Sequence, residues 1–174
     1  SIVKHLYDYQ ESMISKNKNS FLNTYIKFIE KTPVSNYFDE LPLCDTRILN
    51  SRLLKNKLDD YFDNYMSEQK PDVICQNIDD LISKTIDCHE VRDYILWYLY
   101  SRYFNNDLIY IHLSDNYFSK LEINNLTQNI RNEIIKRSDV LRKITIGSTS
   151  PTFTYIDDNS NHVDLAEIES KNIV

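Results

Sequence analysis

HEVRDYILWYLYSRYFNNDLIYIHLSDNYFSKLEI, running from His89 to Ile123, is the stretch whose reading decides the fold. Its first half holds the only tryptophan, Trp97, within Tyr94-Ile95-Leu96-Trp97-Tyr98-Leu99-Tyr100. Wound at about 100° per residue, these side chains leave almost no polar face. A helix of that kind belongs in the middle of a protein, so Trp97 is expected in the core. After the break at Asn105-Asn106, the positions Ile109, His112, Leu113, Asn116 and Tyr117 repeat with the spacing of an amphipathic helix. The stretch reads as a central helical hairpin on which the rest packs.

Working outward, the upstream chain reads as helices separated by polar breaks. Residues 2–16 form the first, closed by Lys16-Asn17-Lys18-Asn19. Ser20 is placed to cap a second, with Phe21, Leu22, Tyr25, Ile26 and Ile29 as its apolar positions. Thr32-Pro33 ends it, because a residue before proline is pushed out of the helical region. A short turn is expected over residues 34–41. Ser51 can cap a helix carrying Leu54, Leu58, Tyr61 and Tyr65, and Pro71 suits the first position of one striped by Ile74, Ile78, Leu81 and Ile82. Downstream, Asn124 or Asn125 is expected to cap a last helix through Leu126, Ile130, Ile134 and Leu141. Short connections favour antiparallel neighbours, and no repeat period emerges, so the architecture expected is an irregular all-α antiparallel bundle.

At Gly147 the texture changes. Phe153-Thr154-Tyr155-Ile156 is strand-forming, 157–161 turn-forming, and His162-Val163-Asp164 returns as a second strand. Two strands and a stub cannot enclose a core, so residues 1–146 are expected as a helical domain and 147–174 as the opening of another. Ser1 falls inside a helical pattern and Asn172-Ile173-Val174 reads as a strand cut short, so the chain is expected to be part of a longer protein. The apolar tail lacks its sheet; residues 150–174 are therefore expected to be mobile or to self-associate with a second copy.

Composition narrows the function. The 174 residues are 41% hydrophobic and 26% charged, as in folded globular domains, with a net charge of −6. That charge argues against nucleic acid as the partner. No apolar run reaches the roughly 18–20 residues needed to span a bilayer, so the chain is not membrane-spanning. A single glycine, Gly147, excludes glycine-rich phosphate loops, dinucleotide turns and nucleophile elbows.

No residue earns a catalytic, cofactor-binding or metal-binding assignment. Cys88-His89-Glu90 places thiol, base and acid side by side, but neighbours on a helix diverge by about 100° and cannot converge on one atom. His112 and Asp115 share a face, yet no second ligand pair accompanies them. Asp45, Asp59-Asp60 and Asp79-Asp80 read as caps and solvated charges, and the aromatics from Tyr94 to Phe104 as packing. Cys44, Cys75 and Cys88 form no C-x-x-C and are odd in number. Buried free thiols are the simplest reading, a single disulfide the other, and no pair is expected to be placed for thiol exchange.

Gly147-Ser148-Thr149-Ser150-Pro151-Thr152-Phe153, the hairpin, Leu165 to Ile168 and Ile173-Val174 together resemble the entry of thioredoxin-like domains of the TlpA and peroxiredoxin-related type. The preceding part is similar to a helical domain of unknown function found before such domains in exported Bacteroidetes proteins. Asp45-Thr46-Arg47-Ile48-Leu49, Leu58-Asp59-Asp60-Tyr61-Phe62, Pro71-Asp72, Ile78-Asp79-Asp80-Leu81-Ile82 and Ile109 to Phe118 carry that likeness. It covers residues 45–174 and departs at Asn105-Asn106-Asp107, where relatives would carry a longer segment. The resemblance implies a truncated thioredoxin-like α/β domain at the C-terminus. It also implies a periplasmic or cell-envelope location and a non-catalytic helical domain in a thiol–disulfide oxidoreductase. That domain would serve docking, spacing or substrate selection toward a protein redox partner. The alternative is an independent helical module binding a peptide or small ligand.

Overall fold

A computed structural model describes residues 2–16, 20–30, 37–66, 69–144, 154–156 and 162–164. The architecture is a helical bundle. Its helices are α1 (Ile2–Lys16), α2 (Phe21–Ile29), α3 (Leu53–Asp60), α4 (Pro71–Ser83), α5 (His89–Arg102), α6 (Asp107–Leu113) and α7 (Gln128–Ile144). A 3-10 turn (Thr46–Asn50) precedes α3. Two wider π turns, Tyr61–Tyr65 and Ser114–Phe118, continue α3 and α6 and carry Phe62 and Phe118 fully inside. Thr154–Ile156 (β1) and His162–Asp164 (β2) pair antiparallel with Tyr155 opposite Val163. Of the turn expected over 34–41, residues 37–41 do turn, while 31–36, the polar break at 17–19, the turn 157–161 and the segments 145–153 and 165–174 lie outside the described residues.

Local signals set most helix starts. Ser20 Oγ accepts from the Leu22 amide at 3.2 Å, and Ser51 Oγ from the Leu53 amide at 3.3 Å. Pro71 opens α4 as its missing N–H allows. The cap of α7 is a correction. Asn125 sits at φ 63°, in the left-handed region asparagine tolerates, and Thr127 Oγ1 takes the Ile130 amide at 3.4 Å instead.

One core runs through the bundle. Ile48, Leu54, Leu58, Phe62, Ile78, Leu81, Ile95, Leu96, Leu99, Ile109 and Phe118 are all fully buried within it. Each such side chain contributes on the order of 1.5–3 kcal/mol through burial. Helix α5 lies against the 3-10 turn and α6, and α6 against α4 and α7. Trp97 is only half-buried: it packs edge-on against Phe118 and Tyr100, and its indole N–H donates to the Asn124 carbonyl at 3.2 Å. The centre of α5 is Ile95, Leu96 and Leu99 instead.

Helix α2 is turned from its expected stripe. It buries Thr24, Ile26 and Phe28, while Leu22, Tyr25 and Ile29 are exposed. Thr24 Oγ1 donates to Asp45 Oδ2 at 2.5 Å, a polar tether that periodicity could not anticipate.

Candidate functional site

The cysteines are where structure and sequence part most. Cys44 and Cys88 form a disulfide, with Cα atoms 5.1 Å apart across 44 residues of chain, and Cys75 is the free thiol. Helix starts position one end: Cys88 stands at the N-cap of the 14-residue α5, where no side chain caps the first amides. The other end lies in a run of turns, 37–45, pinned by the Leu43 amide on the Leu41 carbonyl (2.8 Å) and the Asp45 amide on the Pro42 carbonyl (3.1 Å). Cys44 is exposed, whereas Cys88 is 8% exposed. An open recess of about 520 Å³ reaches Cys44, walled by Phe38, Leu41, Pro42 and Leu43, with Lys84 beside it. Lys84 Nζ is itself held by Asp39 (2.7 Å) and Asp80 (3.3 Å). Of the two readings of the cysteines, the single disulfide holds for Cys44 and Cys88, and the expectation of buried free thiols is corrected for that pair.

His112 does not join Asp115. Its Nε2 meets Asp79 Oδ1 at 2.7 Å, its Nδ1 the Asn116 amide at 3.1 Å, and the Tyr117 hydroxyl donates to the same Asp79 oxygen. Asp115 pairs with Arg142. Cys75 lies one turn before Asp79 on α4. Burial, with Asp79 and Asp72 adding repulsion, pushes its thiol up to about 11. Burial and the bond to Asp79 likewise push the Tyr117 phenol up, so both groups stay protonated near neutrality. An acid, a base and a thiol are thus neighbours, but the thiol is not a nucleophile there.

The other carboxylates are tied into the scaffold. Asp59 accepts from the Tyr98 hydroxyl (2.7 Å) and Lys55 Nζ (2.6 Å), and Asp60 from the Tyr37 hydroxyl (2.7 Å) and Asn64 Nδ2 (2.9 Å). For Asp59, burial favours the neutral acid, but these donors outweigh it and hold the carboxyl below its ordinary range. The Tyr37 and Asn64 bonds lower Asp60 in the same way. Two carboxylates both kept ionised do not make an acid/base couple. Asp45 caps the 3-10 turn by taking the Arg47 amide at 3.2 Å.

The rings from Tyr94 to Phe104 engage one another and the core. Tyr100 touches Trp97, Phe104, Tyr110 and Phe118 with centroids 5.3–5.7 Å apart, and Arg137 lies 3.8 Å over Phe104. Two further recesses exist. The first, about 430 Å³, includes Phe28, Leu53, Asp60, Tyr65 and Lys57. Lys57 is 7% exposed, donates to the Glu30 carbonyl at 2.9 Å and lies 4.8 Å over the Tyr37 ring. Burial lowers its pKa, with Asp60 and Glu30 opposing. The second, about 470 Å³, borders a buried ion pair. There Arg92 meets Asp93 at 2.8 Å and the Glu122 carbonyl at 2.9 Å, while Asp93 takes the Asn124 amide at 2.8 Å. Neither Lys57 nor the Arg92–Asp93 pair carries a sequence signal, since each is defined by chain distant from it.

Among the described residues no group of three or more His, Cys, Asp or Glu side chains is placed to hold a metal ion. None of the described helices is long and apolar enough to cross a membrane. No family model, curated protein or solved structure matches the chain.

Proposed function

We propose that residues 1–146 form the docking and spacing domain of an exported thiol–disulfide oxidoreductase, with 147–174 as the start of its thioredoxin-like domain. The Cys44–Cys88 disulfide carries this reading. Such bonds persist in oxidising compartments such as the periplasm, where an exported redox protein works. The thiol left over, Cys75, is held protonated near neutrality by its surroundings, so it is not itself a ready nucleophile. The remaining argument is the resemblance of Gly147 to Val174 to a thioredoxin-like entry.

The reading frame beyond Val174 tests this. A C-x-x-C at the start of a helix, within roughly a dozen residues, is expected, because paired thiol exchange needs that motif there. Any other continuation overturns the reading. In the parent protein, deleting residues 1–146 is expected to spare reduction of a small disulfide and to impair reduction of a protein one.

A second reading, an independent module for a peptide or small ligand, rests on the recess at Lys57, where Phe28, Leu53 and Tyr65 stand beside polar Asn56, Lys57 and Asp60. Soaking with small carboxylates while following Lys57 by NMR would support it if one bound there and abolish it if none did.

A further inference from the structure

The geometry points to Cys44–Cys88 as an exchange site, at which an external thiol enters at Cys44 and Cys88 leaves. This stands on the surroundings of the bond alone and would hold whatever follows Val174. Thiolate attack on a disulfide needs an open line to one sulfur, with the other sulfur departing along the same axis. The open recess reaches exposed Cys44, whereas Cys88 is buried beneath the start of α5.

The two ends also differ in what release would do. Cys44 lies between core-buried Leu43 and Asp45, which Thr24 holds, so its backbone stays in place and only its side chain is freed. Cys88 stays at the N-cap of α5, where no side-chain acceptor meets the first amides. A thiolate there supplies the acceptor that this position lacks, and the positive end of the helix favours its charge. A stabilised thiolate is a good leaving group. The Lys84 ammonium in the recess is matched by Asp39, which also lines it, and by Asp80, so the approach rests on access and not on charge.

The co-reactant is a dithiol, carried on a protein or a small molecule. Its first thiolate bonds to Cys44 Sγ as the Cys44–Cys88 bond breaks, and the electron pair leaves on Cys88 as thiolate. The second thiolate then attacks its own partner sulfur in the mixed disulfide. That closes the disulfide of the co-reactant and releases Cys44, which takes a proton from water. Two electrons pass from the dithiol to the chain, and every step is reversible.

Glutathione, a monothiol, is the probe, since it has no second thiol of its own to resolve the mixed disulfide, which acid then traps. The oxidised folded chain is incubated with it, quenched with acid and digested with trypsin. Cleavage after Arg47, Lys84 and Arg92 puts the three cysteines on separate peptides. The expected result is glutathione on Cys44 in at least roughly tenfold excess over Cys88, as the difference in access requires. In parallel, reduction by dithiothreitol is followed at several thiol concentrations and at urea levels below the unfolding transition. A rate that rises linearly with thiol and ignores low urea is expected. Adducts mainly on Cys88, no adduct, or a rate that tracks unfolding rather than thiol would each overturn the inference. Because the wild-type chain is used, no variant has to fold.

Discussion

Replacing Cys44 by serine removes the disulfide with little other disturbance, because Cys44 is exposed while the thiol of Cys88 stays in place. The bond closes a loop of 44 residues that contains the 3-10 turn, α3, its π extension and α4. In the chain-entropy description, closing such a loop removes about 13 cal/mol/K from the unfolded chain, or about 4 kcal/mol at 25 °C. Measured effects fall at or below such values, so a loss of about 2–4 kcal/mol is expected. For a chain of this size that lowers the melting temperature by roughly 5–15 °C.

Urea melts of three species measure it: the oxidised chain, the chain in excess dithiothreitol, and Cys44→Ser. The last two should coincide, and both should unfold with a steeper urea dependence, because an uncrosslinked chain exposes more surface. A difference below about 1 kcal/mol between oxidised and reduced protein would refute the reasoning. It would mean that other contacts already hold the turns at 37–45 against the start of α5.

Three further outcomes follow from the packing. Arg92→Met leaves the Asp93 carboxylate, 6% exposed, with the Asn124 amide but no cation, and should cost about 3–5 kcal/mol in urea melts; adding Asp93→Asn should cost less than the two single losses combined. Phe118→Ala, at a fully buried ring, should destabilise by about 3–5 kcal/mol, whereas the half-buried Trp97→Ala should cost less, about 2 kcal/mol; the reverse order would put Trp97 in the core after all. Acid should weaken the fold in a defined window: Arg47 holds the Asp45 carboxyl down at about 2, against burial and with help from Thr24. The contribution of Asp45 is therefore complete above the ordinary carboxylate pKa and lost as pH falls through about 2. Asp45→Asn should remove on the order of 1 kcal/mol of that pH dependence, the pair being screened at the surface.

What the sequence made legible was local. The Ser20 cap, the proline at the head of α4 and the buried stripe Ile74, Ile78, Leu81 and Ile82 each depend on residues within a few positions of one another. Periodicity also marked α5 as central, but it counted apolar residues and could not orient rings. Tyr98 reaches outward to Asp59 and Trp97 to the Asn124 carbonyl, because buried hydroxyl and indole groups need partners and those partners lie far along the chain. Distance also hid the candidate sites. His112 took Asp79, 33 residues away, over Asp115 three away, since the π turn after α6 and the pull of Arg142 direct Asp115 elsewhere. Cys44 and Cys88 carry no spacing rule at all; an odd count of three only left one pairing open among several.

The direction of exchange follows from two opposed magnitudes. Whatever the disulfide contributes to the fold, the fold returns to the disulfide, because both belong to one thermodynamic cycle. Loop closure thus favours the bond by up to about 4 kcal/mol relative to the unfolded chain. The N-terminus of α5 favours the opposite state, since it stabilises the Cys88 thiolate; a helix terminus is worth about 0.3–1 kcal/mol, and about 2 at most. With about 2–4 kcal/mol expected for the bond against the usual ~0.3–1 for the terminus, loop closure exceeds the helix term by about 2 kcal/mol at mid-range, so oxidation is preferred in the folded chain. Folded, the pair should therefore be more reducing than the same two cysteines in urea, by roughly 40 mV for a two-electron couple. Once charged with electrons, it should pass them on through Cys44 instead of retaining them. Equilibration in dithiothreitol buffers, with and without urea, gives both potentials. A folded pair more oxidising than the unfolded one would mean that the helix term had been set too low.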